Sequence, residues 1–134
     1  MLYWYTGSNE PGFESIKVDI LVPGVMDLPH VPPRFIININ ELPCAPLHLL
    51  LLQKLQAWYH RRHSPRPDFR AKVPGDIQDI EDLLHIANQR GLKLTKRRPY
   101  ITNSFREKSY KRVKKFTYKY PEYTEWWESL GLEL

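Results

Sequence analysis

The chain has 134 residues, 42% hydrophobic and 26% charged, with a net charge of +5. That is room for one modest globular core, not a disordered composition. No apolar run reaches the ~18 residues of a membrane helix. The first residues carry no basic-then-apolar signal peptide, and the single cysteine, Cys44, excludes an internal disulfide. The expectation is an intracellular, cytoplasmic protein without a membrane partner.

"MLYWYT" is aromatic and β-prone, and "NEPG" breaks it. Ser15–Val22 is the clearest strand: Ile16, Val18, Ile20 and Val22 alternate onto one face, with Lys17, Asp19 and Leu21 on the other. A proline-rich loop leads to a third strand over Arg34–Asn40, and "ELPCA" reads as a turn. Pro46 suits the first turn of a helix through "LHLLLLQKLQAWYHR". With successive residues about 100° apart and Leu47 at zero, Lys54 falls near 340°, between Leu50 and Trp58. That places an ammonium in the middle of the apolar stripe, with Gln53, Gln56, His60 and His63 opposite. A buried ammonium needs a partner, unless its stem packs inward while the amine reaches water.

"SPRPDFRAKVPG" reads as a loop. Asp76 then reads as the N-cap of a helix with Ile77, Ile80, Leu83, Leu84 and Ala87 as its apolar stripe and Gly91 as its stop. Ser104-Phe105-Arg106-Glu107 reads as a capping box opening a helix to about Tyr120. Pro121 opens a last short helix that Gly131 ends. Strands first and helices after make an α+β fold, a small mixed or antiparallel sheet followed by three to four helices.

Positive charge is concentrated in one segment. Residues 93–119 hold 11 basic and 1 acidic side chains, whereas residues 120–134 hold 0 and 4. Lysine and arginine there interleave with tyrosine and phenylalanine, the pairing that holds phosphates and stacks bases. Lys111, Arg112, Lys114 and Lys115 are the candidate contacts to RNA or another polyanion; a solvated helix docking its aromatics on the core is the other reading. His60 and His63 have the spacing of half a zinc site, and no second pair follows. Cys44 reads as a small buried apolar residue. Asp19 reads either as a solvated side chain or as a carboxylate at an open sheet face, able to hold Mg²⁺ or act as a base.

"KVDIL" (Lys17–Leu21), "LPCAPLHLLLLQKLQAW" (Leu42–Trp58) and "RPDFRAKVPGDIQDIEDLL" (Arg66–Leu84) together resemble the second half of a nucleotidyltransferase-superfamily domain, above all its small fungal members and its abortive-infection-type toxin-like members. The resemblance implies a partial nucleotidyltransferase-like core over residues 1–92 and a basic helical C-terminal extension over residues 93–134. It implies Asp19 as a catalytic, metal-binding carboxylate and Lys54 as a catalytic lysine near the nucleotide phosphates. Lys72, Asp76 and Asp79 match the charged segment that organises the family's site. Mg²⁺ and a nucleoside triphosphate are the implied cofactor and partner. The family's first motif, a Gly-Ser turn followed by Asp-x-Asp, is missing, so the resemblance is to a truncated copy, inactive alone, with nucleotide binding weak or lost. Asp19 facing Lys54 is then the expected remnant of a nucleotide site. The alternatives are a module binding nucleic acid or another polyanion through residues 93–119, and a non-catalytic interaction domain using the sheet edge that missing strands leave.

Overall fold

The structure is a computed structural model that describes residues 2–4, 16–18, 20, 22–25 and 27–134. The chain divides into two compact units, Met1–His30 and Val31–Leu134. Residues on both sides of position 92 belong to the second unit.

In the first unit, β1 (Leu2–Trp4) pairs antiparallel with β2 (Ile16–Val18), in the register Leu2↔Val18 and Trp4↔Ile16. Of the strand expected over Ser15–Val22, Ile16–Val18 are paired, Ile20 and Val22 are not in a strand, and Ser15, Asp19 and Leu21 lie outside the described residues.

The second unit opens with a 3-10 turn over Pro33–Phe35 and a second antiparallel hairpin, β3 (Ile37–Ile39) with β4 (Leu42–Cys44). The expected turn "ELPCA" is thus mostly strand. Ile39 pairs with Leu42 across Asn40 and Glu41, which have φ of 48° and 66°. Two central residues of positive φ are what a type I′ hairpin turn demands, and asparagine tolerates that region better than glutamate does. Cys44 is half-buried at the end of β4, where its Sγ approaches the Leu42 carbonyl at 3.6 Å, and so is not the buried apolar residue expected. The fold is α+β, with antiparallel hairpins first and helices after.

Helix α1 (Leu47–Arg61) buries His48, Leu49, Leu51, Leu52, Leu55, Gln56 and Trp58. This face is centred about 100° round from Leu47, not on it. Gln56, expected on the outer side, is therefore buried, and Lys54 falls on the rim of the buried face. A single turn, α2 (Pro67–Arg70), occupies the expected loop. Helix α3 (Val73–Gln89) then starts three residues before Asp76, with Pro74 in its first turn, where a missing N–H removes no bond. Asp76 is accordingly not the N-cap. It extends the buried stripe Ile80, Leu84, Ala87 by one turn.

Helix α4 (Asn103–Lys119) is capped by Thr102, whose Oγ1 accepts from the Phe105 N–H at 3.2 Å, and not by Ser104. Its buried residues Phe105, Ser109, Arg112, Val113, Phe116 and Thr117 form one stripe. After a 3-10 turn at Pro121–Tyr123, α5 (Thr124–Ser129) closes the fold, and Gly131, at φ +93°, ends it. A Cβ there would come within 3.1 Å of the Thr95 hydroxyl.

Phe116 joins the helices. Its ring centroid lies 4.9 Å from Trp58, 5.0 Å from Tyr120, 5.5 Å from Tyr123 and 6.3 Å from Trp127. Edge-on and tilted rings of this kind add to the burial that holds α1, α4 and α5 together.

Candidate functional site: a charged seam and a basic aromatic face

Two ion pairs close the seam between α1 and α3. Lys54 Nζ donates to Asp79 Oδ2 at 2.6 Å, with both side chains more than a third exposed. Two turns further along α1 and one turn back along α3, Arg61 Nη1 donates to Asp76 Oδ1 at 2.5 Å. Asp76 is buried and its Oδ2 has no hydrogen-bond partner. Burial raises its pKa above the ordinary aspartate value, more than Arg61 and Lys54 pull it down. The spacing decides the pairing: residues 76 and 79 share a flank of α3, and 54 and 61 share a flank of α1.

Lys54 and Asp76 are thus brought into one cluster, but each is held by the opposite helix. Lys72 sits at the N-cap of α3 with its ammonium 5.7 Å from the Phe69 ring centre. Asp19, the expected metal ligand facing Lys54, lies outside the described residues. Among the described residues no three His, Cys, Asp or Glu side chains are grouped to hold a metal ion. Asp76 and Asp79 do not fit Mg²⁺, since each already neutralises a basic side chain.

A second constellation lies where the end of α1 meets the outer face of α4. Arg62 lies with its guanidinium carbon 4.6 Å from the ring centres of both Trp58 and Tyr59. Lys115 Nζ donates to Tyr59 Oη at 3.1 Å, and that bond, with the ammonium charge, lowers the Tyr59 pKa. A shallow surface cavity of about 510 Å³ is lined by Arg62, Lys114, Lys115, Tyr118 and Lys119, with no acid. Tyr118 is 93% exposed.

Of the four expected nucleic-acid contacts, Lys114 and Lys115 are on this face. Lys111 is exposed one turn back, lining a different cavity with Glu107 and Glu133. Arg112 is buried, its guanidinium carbon 5.7 Å from the Tyr59 ring, so it supports the face from beneath. The sequence analysis covered Tyr118 and Lys119 only as part of the segment 93–119 and gave no role to Tyr59 or Arg62. The signal was present for α4, since 114, 115 and 118 share a helix face. It was absent for Tyr59 and Arg62, which only tertiary packing brings there.

No protein-family model matches the chain, and comparison with curated proteins and with solved structures gives no match. No helix among the described residues is long and apolar enough to cross a membrane.

Proposed function

We propose that the chain is an RNA-binding module acting through the face formed by Arg62, Lys114, Lys115, Tyr118 and Lys119. The observation that carries this reading is an almost fully exposed tyrosine ringed by four basic side chains with no acid among them. A large aromatic ring held in water serves no core, whereas a base stacks on it and the flanking cations meet the phosphates on either side. Lys54, by contrast, is engaged by Asp79, and a nucleotide phosphate would have to displace that carboxylate.

Fluorescence anisotropy with labelled single-stranded RNA tests the proposal. Binding is expected to weaken steeply with salt. Exchanging Lys114, Lys115 and Lys119 for glutamate should abolish it. Calorimetric titration with ATP, CTP, GTP and UTP plus Mg²⁺ serves as the comparison. Saturable binding of a nucleotide that is lost in Lys54→Met and kept in the triple glutamate variant would favour the nucleotidyltransferase-like reading instead.

A further inference from the structure

A separate cavity of about 330 Å³ lies between the first turn of α1 and the segment that leads into α4. Its polar lining is His48, Lys96, Arg97, Arg98, Asn103 and Arg106, with no aspartate or glutamate. Four cations converge on one concavity, a placement that is unfavourable unless an anion shares it. Two of the residues that line it carry a buried ring or guanidinium nitrogen without a hydrogen-bond partner, Nδ1 of His48, a residue only 4% exposed, and Nε of Arg98.

The start of α4 adds to this. Asn103 is the first residue of that 17-residue helix and lines the cavity. The first N–H groups of a helix have no intrahelical acceptor, and the Thr102 hydroxyl takes only that of Phe105. The helix dipole favours negative charge at the same end.

We propose that this cavity is a binding site for a phosphate monoester, with Arg98 and Arg106 as the main charge partners, Lys96 and Arg97 at the rim, and His48 as a hydrogen-bonding wall. Three guanidinium groups and an ammonium suit a dianion with several acceptor oxygens better than a carboxylate. The volume admits the phosphate and the group that carries it, at the lower end of ligand pockets. Burial, with Arg98 and Arg106 beside it, holds the His48 pKa down to about 4, so the imidazole is neutral in the ligand-free protein. An anion among Lys96, Arg97, Arg98 and Arg106 offsets the charge of these neighbours and raises that pKa.

The site is independent of the RNA face, and its test keeps the two apart. The full chain is titrated with inorganic phosphate, with a 5′-nucleoside monophosphate, and with one RNA oligomer bearing either a 5′-phosphate or a 5′-hydroxyl, at constant ionic strength. Saturable phosphate binding is expected, with a shift of the His48 ring resonances. Arg98→Met and Arg106→Met should each weaken it roughly tenfold, the effect of removing one charged hydrogen bond. Should either variant unfold, Lys96→Met with Arg97→Met provides the same reading, since both side chains are exposed. Competition of phosphate by the 5′-phosphorylated oligomer but not its 5′-hydroxyl form identifies the end of a strand as the source. Competition by the mononucleotide alone identifies a small molecule, and both results support the site. Equal phosphate binding in the parent and in the Arg98, Arg106 and Lys96/Arg97 variants overturns it. So does no saturable binding at millimolar phosphate, or loss of phosphate binding in the Lys114, Lys115 and Lys119 glutamate variant.

Discussion

Lys54 on α1 and Asp79 on α3 meet at 2.6 Å across the helix seam, with 37% and 46% of their side chains exposed. A pair this wet contributes at most about 1 kcal/mol, because water screens the attraction and ordering two side chains opposes it. Lys54→Met should therefore change the unfolding free energy by less than about 1 kcal/mol. The exchange Lys54→Asp with Asp79→Lys should recover the parental midpoint in urea. A loss of several kcal/mol from Lys54→Met alone would mean that the lysine does more than pair.

The neighbouring pair behaves differently, since Asp76 is buried while Arg61 reaches water. Removing Arg61 leaves a buried carboxylate oxygen unsatisfied, and Arg61→Ala should cost about 2 kcal/mol at neutral pH. Asp76→Asn keeps the shape and removes the charge, so it should cost less than Arg61→Ala. The raised pKa of Asp76 sets a sign for the pH dependence as well. Its stability contribution is present in full below the unfolded value of 3.8 and is lost as pH rises through the higher folded value. Subtracting the Asp76→Asn curve from the parent's in acid should expose that slope.

Tyr123 supplies the alkaline counterpart. Its Oη donates to Glu81 Oε2 at 2.7 Å, and this bond, then burial, pushes its pKa up to about 12. The folded value lies above the ordinary 10.0, so the stabilisation is present below pH 10.0 and is lost as pH rises toward 12. Tyr123→Phe should be less stable than the parent at neutral pH by about 2 kcal/mol, the loss of one hydrogen bond to a charged group. The gap between the two melting temperatures should close between those two pH values.

The cap of α4 separates two threonine- and serine-based expectations. Thr102→Ala should destabilise the protein by about 1 kcal/mol, as loss of a capping oxygen does. Ser104→Ala, one turn position inside the helix, should be near neutral. Chemical denaturation of the two variants side by side measures the difference.

On the basic face, Tyr118→Ala should weaken RNA binding by about 1–3 kcal/mol, the worth of one stacked base, without altering the melting temperature. Lys115→Ala should reduce the slope of log affinity against log salt by about 0.7, one phosphate contact on a single strand. Arg112→Ala should instead lower stability, since that side chain is buried against Tyr59.

Helix content, the stops at Gly91 and Gly131, the α3 and α4 stripes and the concentration of positive charge over 93–119 are all local properties, and all were legible in the residues. Periodicity sees one helix at a time, and a glycine stop depends only on its own backbone. Cap positions shifted by four residues at α3 and two at α4 because Pro74 and Thr102 are as compatible with a first turn and a cap as Asp76 and Ser104 are, and only packing selects between them. The same limit governs Lys54. Its helix carries leucines on nearly every side, so the apolar stripe has no sharp centre until α3 and α4 choose which leucines to cover. Tertiary contact turned that face about 100° from Leu47, moved Lys54 to the rim, and supplied Asp79 as its partner from 25 residues away. The two surface constellations have the same origin. Tyr59 and Arg62 join Lys115, and His48 joins Arg98 and Arg106, only because α1 lies against the chain around α4, a relation between distant segments that no local pattern encodes.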